Sequence, residues 1–167
     1  PADLDLESVV GAVAAEIATT EEWAQVADDM LQIYTPSVCR AGADAYTRRL
    51  STADEACTLR WIRAETRRRL SAEEASMSIF PEQGKWLSQL VTALGAERVL
   101  ELGTFTGYSS TCIAAALPPH GRLLCADVSA RYTAIAAEAW RRASLDDKIS
   151  LHVGDALEYV PTLNTNP

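Results

Sequence analysis

Apolar residues recur at helical spacing through the first half of the chain, then give way to short hydrophobic runs punctuated by glycine and proline. Leu6, Val9, Val10, Val13 and Ile17 predict one amphipathic helix. After the capping pattern Thr19-Thr-Glu-Glu22, the positions Trp23, Val26, Met30, Leu31 and Tyr34 predict a second, stopped by Tyr34-Thr-Pro36. Thr52-Ala-Asp-Glu55 reads as another capping box, opening a helix to about Leu70. Pro81-Glu-Gln-Gly84 begins a further helix whose Trp86, Leu87, Leu90, Val91 and Leu94 share one apolar face, with Gly95 placed to end it.

From Arg98 onward the period changes. Arg98–Leu102, Arg122–Ala126 and Ile149–Val153 read as short buried strands. Between them, Tyr108–Leu117 is a helix of small residues stopped by Pro118-Pro119. The helix Arg131–Ala143 places Tyr132, Ala136, Ala139 and Trp140 on one buried stripe. Strands alternating with helices over short links predict right-handed crossovers and a parallel sheet, hence an α/β fold. There is no internal repeat and no low-complexity segment.

The first strand runs through a glycine turn directly into a helix, Val99-Leu-Glu-Leu-Gly-Thr-Phe-Thr-Gly-Tyr-Ser-Ser110. Such a turn builds a nucleotide-sized crevice at the carboxyl end of a sheet. Glu101 is informative there, because a carboxylate repels a phosphate but holds a ligand bearing a cationic amine or hydroxyl donors. That chemistry favours S-adenosylmethionine over a dinucleotide. Acids also end the other two strands, Asp127 and Asp155, and in a parallel sheet all three ends line one crevice. Asp127 stands where an acid accepts hydrogen bonds from ribose hydroxyls, and Asp155 would reach the adenine edge with Ala156 beside the ring. Gly103 and Gly107 let the backbone approach the ligand, and the helix opening near Tyr108 offers free N–H groups to a carboxylate. Each acid also has a plainer reading. Asp127 with Ser129, and Asp155 ahead of Leu157, are ordinary helix N-terminal caps.

Other chemistries fit less well. Gly103-Thr-Phe-Thr-Gly107 departs from G-x-G-x-x-G because Phe105 occupies the second glycine position and would crowd a pyrophosphate; this opposes a nicotinamide-dependent oxidoreductase. No P-loop occurs. His120 lies in a Pro-His-Gly turn and His152 within a strand, where a surface or packed role is expected rather than general base catalysis.

The 167 residues suit one domain with a real core, and a net charge of -8 disfavours nucleic acid or an anionic membrane as partner. The basic run Arg67-Arg-Arg69, with Arg60 and Arg63 upstream, reads as a solvated helix face. Cys39, Cys57, Cys112 and Cys125 lack metal-like spacing and read as small buried hydrophobes of a reduced protein. No apolar run approaches the ~18 residues of a membrane span, and the first residues lack the pattern of a signal peptide, so the cytoplasm is the expected compartment.

From about Ala53 to Leu163 the chain resembles the cation-dependent O-methyltransferases, the group of catechol and caffeoyl-CoA O-methyltransferases and their bacterial relatives. The resemblance rests on Met77-Ser-Ile-Phe-Pro-Glu-Gln-Gly84, Val99–Ser109, Cys125-Ala-Asp-Val128 and Gly154-Asp-Ala156, in that order and spacing. It implies a Rossmann-like, three-layer class I methyltransferase fold and a small phenolic or catecholic acceptor. It also implies that Glu101, the Gly103-Thr104 turn and Ser109 hold the methionine end of S-adenosylmethionine, that Asp127 takes the ribose, and that Asp155 and Ala156 flank the adenine. Met77 and Ile79 match the segment that closes over the cofactor and borders the acceptor. The implied cofactor set is therefore Met77, Ile79, Glu101, Gly103, Thr104, Gly107, Tyr108, Ser109, Asp127, Val128, Asp155 and Ala156, in a protein expected to be a homodimer.

Two departures shape the expectation. Residues 1–50 are a helical addition to the family's shorter lead-in, read as a dimerisation or lid element, with 51–167 as the cofactor-binding domain. The family's divalent cation, Mg2+ by expectation, is held by acids on later strands that no residue here inherits, and only strands one to three are evident. A far edge of the first strand left bare would need cover from further residues or another chain. The alternative to an enzyme is a non-catalytic binding or assembly module.

Overall fold

Short leucine-, valine- and isoleucine-rich runs form β1 (Arg98–Leu102), β2 (Arg122–Asp127) and β3 (Ile149–Val153), which are parallel and ordered β1-β2-β3. They belong to a computed structural model that describes Arg49, Thr52 and residues 54–165. The two helices expected before Pro36, and Cys39, lie outside the described residues. Pairing is in register, Val99 with Leu123 and Glu101 with Cys125, then Leu123 with Ile149 and Cys125 with Leu151. Alternation puts Val99, Leu123, Cys125, Ile149 and Leu151 on one face, and these pack with Val91, Ile113, Ala114, Leu117, Ala136 and Trp140 into the main core.

The helices that cover this face are α3 (Pro81–Leu94), α4 (Tyr108–Ala116) and α5 (Ala130–Ala143), while α1 (Cys57–Arg69) lies outside α4 and α5. A four-residue helix, α2 (Ala72–Ala75), precedes α3, and α6 (Ala156–Tyr159) follows β3 and runs into a 3-10 turn. Helix α4 is built from small residues because it lies close against its neighbours. A Cβ on Gly84 of α3 would come within 2.8 Å of both the Cys112 thiol and the Tyr108 ring on α4. At its end, the Lys148 ammonium donates to the carbonyls of Leu117 (2.8 Å) and Ala114 (3.4 Å), placing a cation where the helix carbonyls are unsatisfied. The indole of Trp140 donates to Ser110 Oγ at 3.2 Å, tying α5 to α4 inside the core.

Four expectations change. Cys57, read as buried, is exposed at the first position of α1. The Thr52–Glu55 capping box does not form; α1 starts at Cys57 with Ala56 as an N-cap that makes no side-chain hydrogen bond. The Glu55 carboxylate is instead buried, accepting from Tyr108 Oη at 2.7 Å and from Arg63 at 2.9 Å. A buried carboxylate needs such partners, and the tertiary pair outcompetes the local cap. The apolar stripe of α3 also divides. Val91 is buried and Leu87 packs on the core, whereas Trp86, Leu90 and Leu94 are exposed. Tyr132, expected to be buried, is half-exposed on α5.

The second face of the sheet is mostly open among the described residues. Leu100 and Leu102 of β1 point into it and are exposed, and only α6 folds across, where Tyr159 stacks on His152 with ring centroids 4.0 Å apart. The described residues thus supply the sheet and one full helical layer. No described helix is long and apolar enough to cross a membrane.

Candidate functional site

The carboxyl ends of the three strands bring the three expected acids to neighbouring positions. Beyond β1 the Gly103 N–H donates to Ala126 O, and beyond β2 the Gly154 N–H reaches back to Asp127 O, each at 2.9 Å. These bonds hold the three loop starts side by side, so Glu101, Asp127 and Asp155 stand at adjacent strand ends.

Glu101 projects from the covered face of β1 and is half-buried. The thiol of Cys125, its register partner on β2, lies 3.5 Å from Oε2. Burial pushes the Glu101 carboxyl above its ordinary range, against hydrogen bonds from Ser109, Cys125 and Thr104, and the nearby Asp127 charge pushes the same way. Among the described residues no cation pairs with Glu101. Asp127 is fixed by two backbone donors, Phe105 N–H at 2.7 Å to Oδ2 and Ser129 N–H at 2.8 Å to Oδ1. A carboxylate has about four lone-pair sites, so two remain for a ligand.

The turn has an unusual backbone. Phe105 adopts φ 51°, in the left-handed region that branched and bulky side chains avoid, and its N–H bond to Asp127 secures it there. Gly103 and Gly107 have φ 86° and 85°. Their environments differ. A Cβ on Gly107 would sit 2.6 Å from Ala136 Cβ, so that glycine serves packing, whereas one on Gly103 would meet nothing within 4 Å. The space in front of Gly103 is open to a ligand. Thr104 and Thr106 are buried, and Thr106 shares a 2.9 Å hydrogen bond with Thr66 of α1, which anchors the turn from below.

The remaining expected residues divide. Ser109 stands beside Glu101, Val128 is exposed after β2, and Ala156 is half-buried at the start of α6. Asp155 makes the capping bond expected of the plainer reading, accepting from Leu157 N–H at 2.8 Å, and stays exposed to the crevice. The Tyr108 side chain points away from the crevice into the cluster with Ile62, Cys112 and Ala139, and burial with the Glu55 bond pushes its hydroxyl pKa well above the usual value. Only its backbone, in the first turn of α4, faces the turn. Met77 is exposed, while Ile79 packs on the Tyr108 cluster. Sequence reasoning missed Glu55, Glu74 and the left-handed Phe105; the two glycines flanking Thr-Phe-Thr were the signal available for the last.

Comparison with known proteins bears on the family and the fold. The chain is 38% identical over 96 residues to a catechol O-methyltransferase from Niastella koreensis, covering 56% of this chain and 43% of that one. Its fold matches the O-methyltransferase TomG from Streptomyces achromogenes, solved in complex with SAM, with TM-score 0.64 and 33% identity over 74% of this chain and 53% of TomG. It also matches the O-methyltransferase from Bacillus cereus, solved with SAH, at TM-score 0.65 and 26% identity over 73% and 56% of the two chains. The chain thus spans about half the length of these relatives. Residues 49–166 match the family described as O-methyltransferase, and the chain belongs to that family.

Proposed function

We propose that the chain is the cofactor-binding portion of an S-adenosylmethionine-dependent O-methyltransferase acting on a hydroxyl of a small phenolic or catecholic acceptor. The observation that carries this reading is Glu101, a half-buried carboxylate with no cation beside it among the described residues, next to the open space at Gly103. In that reading Glu101 accepts from the cofactor's amine, and the free lone pairs of Asp127 accept from its ribose hydroxyls. Asp155 and Ala156 border the adenine, Ser109 and the first amides of α4 face the methionine carboxylate, and Met77 lies over the top. S-adenosylmethionine, when bound, supplies an electrophilic sulfonium methyl group. The acceptor chemistry follows from the resemblance and from the catechol O-methyltransferase relative.

Among the described residues no group of three His, Cys, Asp or Glu is placed to hold a metal ion. A homodimer in the cytoplasm is the assembly and setting we propose.

Calorimetric titration with S-adenosylhomocysteine tests the site. The chain binds, and Asp127→Ala weakens binding by about 1–3 kcal/mol, the usual loss for a charge-assisted hydrogen bond. Equal affinity in the two proteins would remove Asp127 from the site, and absence of binding in both would remove the cofactor.

A further inference from the structure

The segment Met77-Ser-Ile79 follows α2, and α2 has little reason of its own to be ordered. It is four residues long and contains no buried residue, far short of what an isolated helix needs to persist. What fixes it is one carboxylate. Glu74 closes a capping box with Ser71, accepting from Ser71 N–H at 2.8 Å while its own N–H donates to Ser71 Oγ at 3.1 Å. The other carboxylate oxygen reaches across to the first turn of α5, accepting from Tyr132 Oη at 3.0 Å and from Arg131 at 2.7 Å. Arg131 also donates to Arg69 O at 3.4 Å.

Both ends of this contact lead to the crevice. On one side, the Met77 N–H donates to Glu74 O at 3.1 Å, so the turn that presents Met77 is built on Glu74 itself. On the other, the Tyr132 ring meets Phe105 edge-on at 4.9 Å between centroids, and Phe105 is the left-handed residue whose N–H secures Asp127. A continuous path therefore runs from Met77 through Glu74, Tyr132 and Phe105 to Asp127. We propose that Glu74 and Tyr132 form a clasp that sets the Met77 segment against the turn contacting the cofactor, making both positioning residues for that site.

The proposal rests on the cofactor reading above only for its functional consequence. The Arg131 contact is largely exposed, and a pair of that kind contributes little alone. Tyr132 is half-buried and holds both the Glu74 bond and the Phe105 contact, so it dominates the clasp. Hydrogen bonds from the Ser71 backbone, Tyr132 and Arg131 hold the Glu74 carboxyl at about 2, which keeps the clasp closed through the neutral range.

Tyr132→Phe and Glu74→Gln separate this role from a merely structural one, since the first keeps the ring on Phe105 and removes only the hydroxyl. In the free chain, amide exchange of residues 76–79 is expected to quicken about tenfold in both variants, with the melting temperature and exchange elsewhere unchanged. S-adenosylhomocysteine should dissociate about five- to tenfold faster from each, and the double variant should behave like the worse single one, because the two residues make one contact. Unchanged exchange at 76–79, or faster exchange throughout the chain with a lowered melting temperature, overturns the clasp. A parent chain that binds no S-adenosylhomocysteine overturns the cofactor reading instead, and exchange at 76–79 still decides the clasp.

Discussion

Folding and ligand binding pull Glu101 in opposite directions. A carboxylate placed half-buried against Cys125, with Asp127 nearby and no cation among the described residues, disfavours its own charged form. Because its folded pKa lies above the unfolded one, Glu101 destabilises the free chain at neutral pH. That destabilisation fades as the pH falls through the raised value towards the ordinary carboxylate range, where both states are protonated. Glu101→Gln removes the charge and keeps the shape. Thermal unfolding without ligand should show the variant melting higher at pH 7, by about 3 °C for each kcal/mol gained in a chain of this size, with the gap closing as the pH is lowered. The same variant should bind S-adenosylhomocysteine about 1–3 kcal/mol more weakly, since the neutral amide cannot pair with the amine. A variant that melts no higher at pH 7 would show that Ser109, Thr104 and Cys125 already satisfy the charge.

Between elements, Gly84 sets how closely α3 and α4 approach, and two effects compete there. Alanine is favoured over glycine in a helix interior by about 1 kcal/mol. Against that, the new methyl would meet Cys112 Sγ and Tyr108 Cε1 at 2.8 Å, and neither neighbour yields easily: Cys112 is buried, and Tyr108 is pinned by Glu55. Overpacking of this kind costs about 1–3 kcal/mol, so Gly84→Ala should lower the urea midpoint. An unchanged or higher midpoint would mean that the helices separate freely. The contrast between this contact and the strands shows what the sequence could reveal. β1 and β3 take the bounds the sequence predicts, because a short apolar run bounded by glycine or polar residues is a local pattern, although β1, read as buried, holds no buried residue among the described ones. Thr52–Glu55 carries the local pattern of a capping box too, yet Glu55 answers to Tyr108, 53 residues away, and no spacing rule contains that distance. The adjacency of Glu101, Asp127 and Asp155 was legible because a parallel sheet aligns its carboxyl ends whatever the intervening helices are. The clasp was not, since it joins a four-residue helix to α5 through side chains that each look like ordinary surface residues.

At the scale of the whole chain, the described surface presents apolar residues that a stable fold ordinarily covers. Trp86 and Leu94 of α3 are 59% and 72% exposed, and Leu100 and Leu102 are 41% and 54% exposed on the open face of β1. Among the described residues β1 pairs only with β2, so its other edge offers unpaired N–H and C=O groups beside those leucines. Apolar surface next to a free strand edge drives association when nothing else covers it. The net charge of -8 opposes contact between copies, but at physiological ionic strength charges more than about 8 Å from the edge are largely screened, so net charge alone protects it little. Sedimentation velocity of the chain at rising concentration should therefore show growing assemblies, and salt should strengthen them rather than dissolve them. Leu100→Lys with Leu102→Lys should return the chain towards a single small species, because charges on an exposed strand are how β proteins block edge pairing. A discrete dimer that survives both substitutions would arise from another surface, and a chain that stays monomeric before either change would show that this face is already covered.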